Sequence, residues 1–169
     1  MSDDAPVESS RSSEEAWNAA LSYLSYRSRS HWELERHLRR RGYEQDLVEQ
    51  ALHRCDGLGL VDDQAFAAAF SRDRIRLRPR GVTRLEAELL QKGVSREDAE
   101  AGIRTAFEDE ELTELELLEA TARRRWRRLA AADPSTARRR LFGHLARSGF
   151  PIDDVWRIVE RLAKGRRSE

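Results

Sequence analysis

Apolar residues recur along this chain at helical spacing, and three of the runs end in the same way. Leu34 and Leu38 lie four apart, on one face of a helix. Gly42 and Tyr43 follow, and Val48, Leu52 and Cys55 then resume the period. With Gly42 at C′ in the left-handed conformation, Leu38 is C3 and Tyr43 is C″. That is the apolar pair expected to touch in a Schellman cap. Leu85, Leu89, Gly93 and Val94 repeat the order, followed by Ala99, Ile103 and Ala106. Leu141, Leu145, Gly149 and Phe150 repeat it again, followed by Val155, Val159 and Leu162. One copy would carry little weight, since glycine ends many helices. Three in register, at a spacing of roughly 50 residues, predict an internal repeat of helix, glycine turn and helix.

Polar residues mark where the helices start. Ser12-Ser13-Glu14-Glu15 has capping-box order, and the helix behind it carries Trp17, Ala20, Leu21 and Leu24. Ser30 to Glu33 and Thr83 to Glu86 read as further capping boxes, and Ser95 to Asp98 as another cap. Asp62 or Asp63 opens a helix bearing Phe66, Ala69, Phe70 and Leu77, which Arg78-Pro79-Arg80-Gly81 breaks. Leu115, Leu118, Ala122, Trp126 and Leu129 share the face of a later helix. Asp133-Pro134 supplies N-cap and N1 chemistry for the one that ends at Gly149. A last helix runs from near Pro151 to near Ala163. No stretch shows strand-like alternation. The expectation is an all-α chain of three tandem three-helix repeats, over residues 12–57, 58–108 and 109–164. A disordered N-terminal tail, residues 1–11, and a C-terminal tail, residues 165–169, flank them.

Composition narrows the class. Of 169 residues, 37% are charged and 39% apolar, which leaves a thin core for the length. The 31 basic and 31 acidic residues balance, so the total charge gives no reason to expect nucleic acid; their segregation along the chain does. The single cysteine allows no internal disulfide. No basic-then-apolar leader opens the chain and no apolar run approaches a membrane span, so a cytoplasmic protein is expected.

Several segments together resemble one bacterial family. They are Ala20-Leu21-Ser22-Tyr23-Leu24-Ser25-Tyr26-Arg27-Ser28-Arg29-Ser30, Gly59-Leu60-Val61-Asp62-Asp63-Gln64-Ala65-Phe66-Ala67 and Leu89-Leu90-Gln91-Lys92-Gly93. With the repeat, they resemble the RecX family of regulatory proteins, over roughly Trp17 to Leu162. The resemblance implies tandem three-helix repeats in an elongated, curved molecule. It also implies binding to the RecA recombinase filament on single-stranded DNA, opposing its recombination, ATPase and co-protease activities. It transfers no catalytic motif and no contact residue.

Contact residues are therefore sought in the charges themselves. Arg72, Arg74, Arg76, Arg78 and Arg80 form a comb that Arg84 extends. Helical geometry puts Arg72 and Arg76 on one side and Arg74 roughly opposite, while Pro79 leaves Arg78 and Arg80 on a loop. Arg123, Arg124, Arg127 and Arg128 flank Trp126, and Arg138, Arg139 and Arg140 follow. These arginines either meet a partner or DNA phosphates, or complement helix C-termini and nearby acids. Trp126 lies on the apolar stripe, which favours core packing over stacking on a base.

The acids Glu108, Asp109, Glu110, Glu111, Glu114, Glu116 and Glu119 straddle a helix start and lack any chelating order. His31, His37, His53 and His144 fit no zinc spacing, and no phosphate loop or nucleophile elbow is present. No cofactor, metal or catalytic residue is expected. The expected partners are the recombinase filament and, through it, single-stranded DNA, engaged by a monomer with no membrane role. The alternative is a helix-turn-helix-like DNA-binding module, although no helix offers a clear Asn/Gln/Arg reading set.

Overall fold

A computed structural model of the chain describes residues 12–165, so both expected tails, save Gly165, lie outside the described residues. Among those residues there are nine α-helices and no strand, and the chain is an all-α series of three tandem three-helix repeats. It divides into two compact units, one reaching Asp62 and the other starting at Asp63.

The first unit holds α1 (Ser13–Leu24), α2 (His31–Arg40) and α3 (Gln45–Gly57). The capping box at Ser12 forms: its hydroxyl accepts from the Glu15 N–H at 3.2 Å, and its own N–H donates to Glu15 Oε2 at 2.8 Å. Ser30 caps α2 by accepting from the Glu33 N–H, while the Glu33 carboxylate reaches back to Arg27 at 3.0 Å. Ala16, Trp17, Ala19 and Ala20 pack against Leu34 and Leu38, with Val48, Ala51, Leu52 and Cys55 closing the core from α3. Leu34 and Leu38 are fully buried, which stabilises by about 2 kcal/mol each. Leu21, expected on the stripe, is exposed, because Ala16 and Ala20 set the phase of the buried face. At the turn after α2, Gly42 has φ 79° and Tyr43 N–H donates to the Leu38 carbonyl at 3.3 Å, the anticipated Schellman bond. The joint after α3 is a cap of the same kind, with Gly59 left-handed and Leu60 N–H donating to the Cys55 carbonyl at 2.9 Å.

The second unit holds α4 (Asp63–Leu77), α5 (Val82–Leu90), α6 (Arg96–Asp109), α7 (Glu114–Arg128), α8 (Pro134–Arg147) and α9 (Ile152–Gly165). Phe66, Ala67, Leu85, Leu89, Val94, Ala99 and Ile103 make one cluster. Leu117, Leu118, Ala122, Leu141, Leu145, Phe150, Val155 and Val159 anchor a second, which Ile75 of α4 and Ala106 of α6 also join. Phe107 packs against both clusters, so apolar contact runs without a break through the unit. Trp126 packs against the second cluster, in keeping with its place on the stripe.

Three expectations shift here. Thr83 does not cap α5. The helix starts at Val82 with Gly81 as N-cap and no side-chain cap. The orphan donors of its first turn go to distant acceptors instead: Val82 N–H to Glu114 Oε1 at 2.7 Å and Gly81 N–H to the Ser148 carbonyl at 2.9 Å. Leu77 and Leu115 are exposed, since α4 buries Phe66, Ala67, Ala68, Ser71 and Ile75, and α7 buries Leu117, Leu118, Thr121 and Ala122. The acid-rich stretch is both a helix end and a helix start. Leu112 N–H donates to the Phe107 carbonyl across Glu111, which takes the left-handed position at φ 49° that glycine holds elsewhere. Thr113 and Glu116 then form the capping box of α7.

Glu114 yields a pH-dependent expectation. Burial pushes its carboxyl up, Asp154 and Glu86 add to this, and the Val82 hydrogen bond opposes it. A folded-state pKa above the unfolded value means that the group's stabilisation is complete below about pH 4.3 and is lost as pH rises through the folded pKa. Glu114→Gln keeps an acceptor for Val82 N–H without the buried charge. It should raise the thermal midpoint at pH 7.5, with the gain shrinking toward pH 4. A lower midpoint at pH 7.5 would mean that the charged bond to Val82 outweighs burial.

Candidate functional site

The arginines of the second unit fall into two sets. The first is held by acids of the same unit. Arg72 donates to Asp109 Oδ2 at 2.6 Å and Arg76 to Glu110 Oε1 at 2.9 Å, both at the end of α6. Arg74, on the other side of α4, donates to Glu88 of α5 at 2.9 Å, and Arg84 reaches the same carboxylate at 2.9 Å. Burial works to raise the Glu88 carboxyl, yet the hydrogen bonds from Arg74 and Arg84 hold it below its ordinary value. Glu119 accepts from Arg123 at 3.1 Å and from Arg161 at 2.6 Å. Arg138 pairs with Glu160 across α8 and α9. Exposed pairs of this kind contribute little to stability, but they occupy the acids.

The second set has no carboxylate within salt-bridge distance among the described residues. On α7, α8 and the α4–α5 loop it comprises Arg78, Arg124, Arg125, Arg127, Arg128, Arg139, Arg140 and Arg147, and on α6 Arg96 and Arg104, all of them exposed. Helical phase sorts those on α7. Thr121, Arg124, Arg125 and Arg128 follow the i, i+3, i+4, i+7 pattern of one face. That face, the Arg78-Pro79-Arg80 loop and His144 of α8 enclose a cavity of about 240 Å³.

The cavity is a region of uncompensated positive charge. Arg80 donates to Ser148 Oγ at 3.3 Å, and that hydroxyl donates to the His144 carbonyl at 2.9 Å. Arg80 also pairs with Glu88 at 3.7 Å, so the uncompensated charge belongs to Arg78, Arg124, Arg125 and Arg128. Burial lowers the His144 imidazole pKa, and Arg125, Arg80 and Arg147 lower it further. Thr121 is 5% exposed, and its hydroxyl has no hydrogen-bond partner. Buried hydroxyls are almost always satisfied, so this one is an exception that requires a cause.

Arg78, Arg80, Arg124 and Arg128, all expected contact residues, converge on this cavity. His144, Thr121 and Arg125 join them, none of which the sequence marks as a contact residue. The signal was present in the i, i+3, i+4, i+7 spacing on α7, but a distant helix and a loop complete the site. Arg138 and Arg139 instead border a groove of about 490 Å³ between α8 and α9, where Phe142 meets Trp156 edge-to-face at 6.0 Å. The other histidines have local neighbours: His37 stacks on Tyr23 at 3.9 Å, and His31 lies 3.5 Å from Asp56. No group of three or more His, Cys, Asp or Glu side chains among the described residues is arranged to hold a metal ion. No described helix is long and apolar enough to cross a membrane.

Comparison with known proteins agrees with the repeat. Models of the first, second and third three-helix domains of RecX match residues 16–55, 62–103 and 113–159. The regulatory protein RecX of Prosthecochloris aestuarii is 33% identical over 147 residues, which covers 87% of this chain and 93% of that one. The regulatory protein RecX of Amycolatopsis mediterranei is 35% identical over 137 residues, covering 81% and 77%. A crystal structure of RecX from Lactobacillus salivarius superposes with a TM-score of 0.74 at 23% identity, over 89% of this chain and 96% of that one, a likeness of fold alone. Three consecutive domain matches in chain order, with relatives aligned along most of their length, place this chain in the RecX family of regulatory proteins.

Proposed function

We propose that this chain is a non-enzymatic, cytoplasmic regulator that binds the RecA recombinase filament on single-stranded DNA as a monomer. It lowers the filament's recombination, ATPase and co-protease activities. Family membership supports the partner. The observation that supports the contact surface is the exposed arginine set on α7, α8 and the α4–α5 loop, which the second unit's own acids leave uncompensated. We assign contact to Arg78, Arg124, Arg127, Arg128, Arg139 and Arg140. Arg72, Arg76, Arg84, Arg123 and Arg138 hold internal carboxylates and serve the scaffold, because engaging a partner through them would first break those pairs. Tandem modules let several weak polar contacts add across neighbouring protomers. Contact that spans protomers restrains their conformational cycling and exchange.

Co-sedimentation with recombinase filaments on single-stranded DNA tests this reading. The chain should pellet with the filament, and less so as salt rises. Folded chain that stays in the supernatant, yet binds duplex DNA tightly and selectively, would favour the helix-turn-helix reading instead.

A further inference from the structure

We infer that the arginine-lined cavity between α7, α8 and the α4–α5 loop is a binding pocket for a phosphate dianion or polyphosphate group. Two independent features point there. Arg78, Arg80, Arg124, Arg125 and Arg128 converge on the cavity, and no carboxylate lines it. Thr121, more than nine-tenths buried, lines the same cavity, and its hydroxyl has no hydrogen-bond partner. Arg80 is ion-paired with Glu88 through its Nε at 3.7 Å, so the free charge of the cavity comes from the other four guanidinium groups. An oxyanion in the cavity would accept from the guanidinium groups that no acid holds, in the bidentate and charge-assisted geometry they favour, and would give the Thr121 hydroxyl beside them an acceptor.

The size and charge of the pocket narrow the ligand. At about 240 Å³ it is smaller than the roughly 300–1,000 Å³ pockets that enclose a whole drug-sized ligand. It therefore takes a group, and the remainder of the ligand stays in solvent. Four guanidinium groups without a carboxylate call for more than the single charge of a phosphodiester. A terminal phosphate or a di- or triphosphate supplies it. Two sources share that chemistry: the 5′-phosphate of a single strand and the phosphates of a free nucleotide. The pocket uses part of the basic face assigned above to filament contact. Its occupancy can still be measured with no recombinase present, so it stands or falls separately from that reading.

His144 provides the readout. Its imidazole titrates low beside Arg125, Arg80 and Arg147, and an anion seated among them moves that titration upward. The experiment is NMR of the His144 ring during titration of the full chain with inorganic pyrophosphate at fixed ionic strength. We expect saturable one-to-one binding and an upward move of the His144 titration. The double variant Arg124→Gln/Arg128→Gln should bind at least tenfold more weakly. The charge-matched variant Arg96→Gln/Arg104→Gln, on exposed positions of α6, should bind as the wild type does. Thr121→Val, which keeps the shape and removes the hydroxyl, should weaken binding severalfold with the fold intact by circular dichroism. Equal weakening in the two double variants would overturn the inference, because the attraction would then be diffuse. Separate titrations use a 5′-phosphorylated oligonucleotide, its 5′-hydroxyl counterpart and ATP. Preference for the phosphorylated strand assigns the strand end, and preference for ATP assigns the free nucleotide. A His144 signal that ignores both overturns the phosphate-ester assignment.

Discussion

Replacing Gly102 with alanine should destabilise the second unit by about 2 kcal/mol, although Gly102 lies inside a helix where alanine normally helps. The helix-propensity gain is at most about 1 kcal/mol. Against it stands the close approach of α4 and α6. A Cβ at position 102 would lie 2.5 Å from the Ala67 Cβ, 2.7 Å from the Ala68 backbone nitrogen and 2.8 Å from the Gln64 carbonyl oxygen. Two of these three neighbours are backbone, so no side-chain rotation relieves the contact and the helices must part. Overpacking of this kind costs about 3 kcal/mol, at the upper end of its range, and it outweighs the propensity gain. The thermal midpoint should fall by roughly 10 °C. Gly57→Ala is the contrasting case. Nothing lies within 4 Å of a Cβ there, so the change should be neutral or slightly stabilising. A Gly102→Ala midpoint equal to the wild type would contradict the packing described for α4 and α6.

Reversing Arg124, Arg127 and Arg128 together to glutamate should weaken filament binding about 100-fold and leave the fold intact. None of the three has a carboxylate partner among the described residues, so reversal breaks no internal pair. Each lost attraction, at about 1 kcal/mol, sums to about 3 kcal/mol, which is the stated change in affinity. Arg72→Glu with Arg76→Glu should behave in the opposite sense. It sets like charges against Asp109 and Glu110, so it lowers the thermal midpoint before it affects the partner. If the triple variant is folded and binds at wild-type affinity, contact lies on another surface.

Local chemistry made the fold legible. The glycine caps after Leu38 and Leu89, the capping boxes at Ser12 and Thr113 and the Asp133-Pro134 start depend on residues within one turn of one another. The misses come from longer range. Thr83 looked like an N-cap, but Glu114 and Ser148, distant in sequence, satisfy the first turn of α5 from outside. Glu111 takes a left-handed cap position with no glycine to announce it. The site was half legible for the same reason. Helical phase separates Arg74 from Arg72 and Arg76, and the structure pairs them accordingly, with Glu88 and with the end of α6. Which arginines keep free charge depends on where the acids fold, and sequence spacing does not encode that. His144 joins the arginines only because α8 packs beside α7.

The single-stranded-DNA-dependent ATPase of the cognate recombinase, titrated with this chain, reads filament regulation directly. Inhibition should follow the integrity of the free arginine set: strong for the wild type and shifted to about 100-fold higher concentration for the triple reversal. Inhibition at well under one molecule per protomer would indicate end capping or blocked cycling, and inhibition only near saturation would indicate coating of the filament. An ATPase that does not respond to the folded wild-type chain would contradict the account.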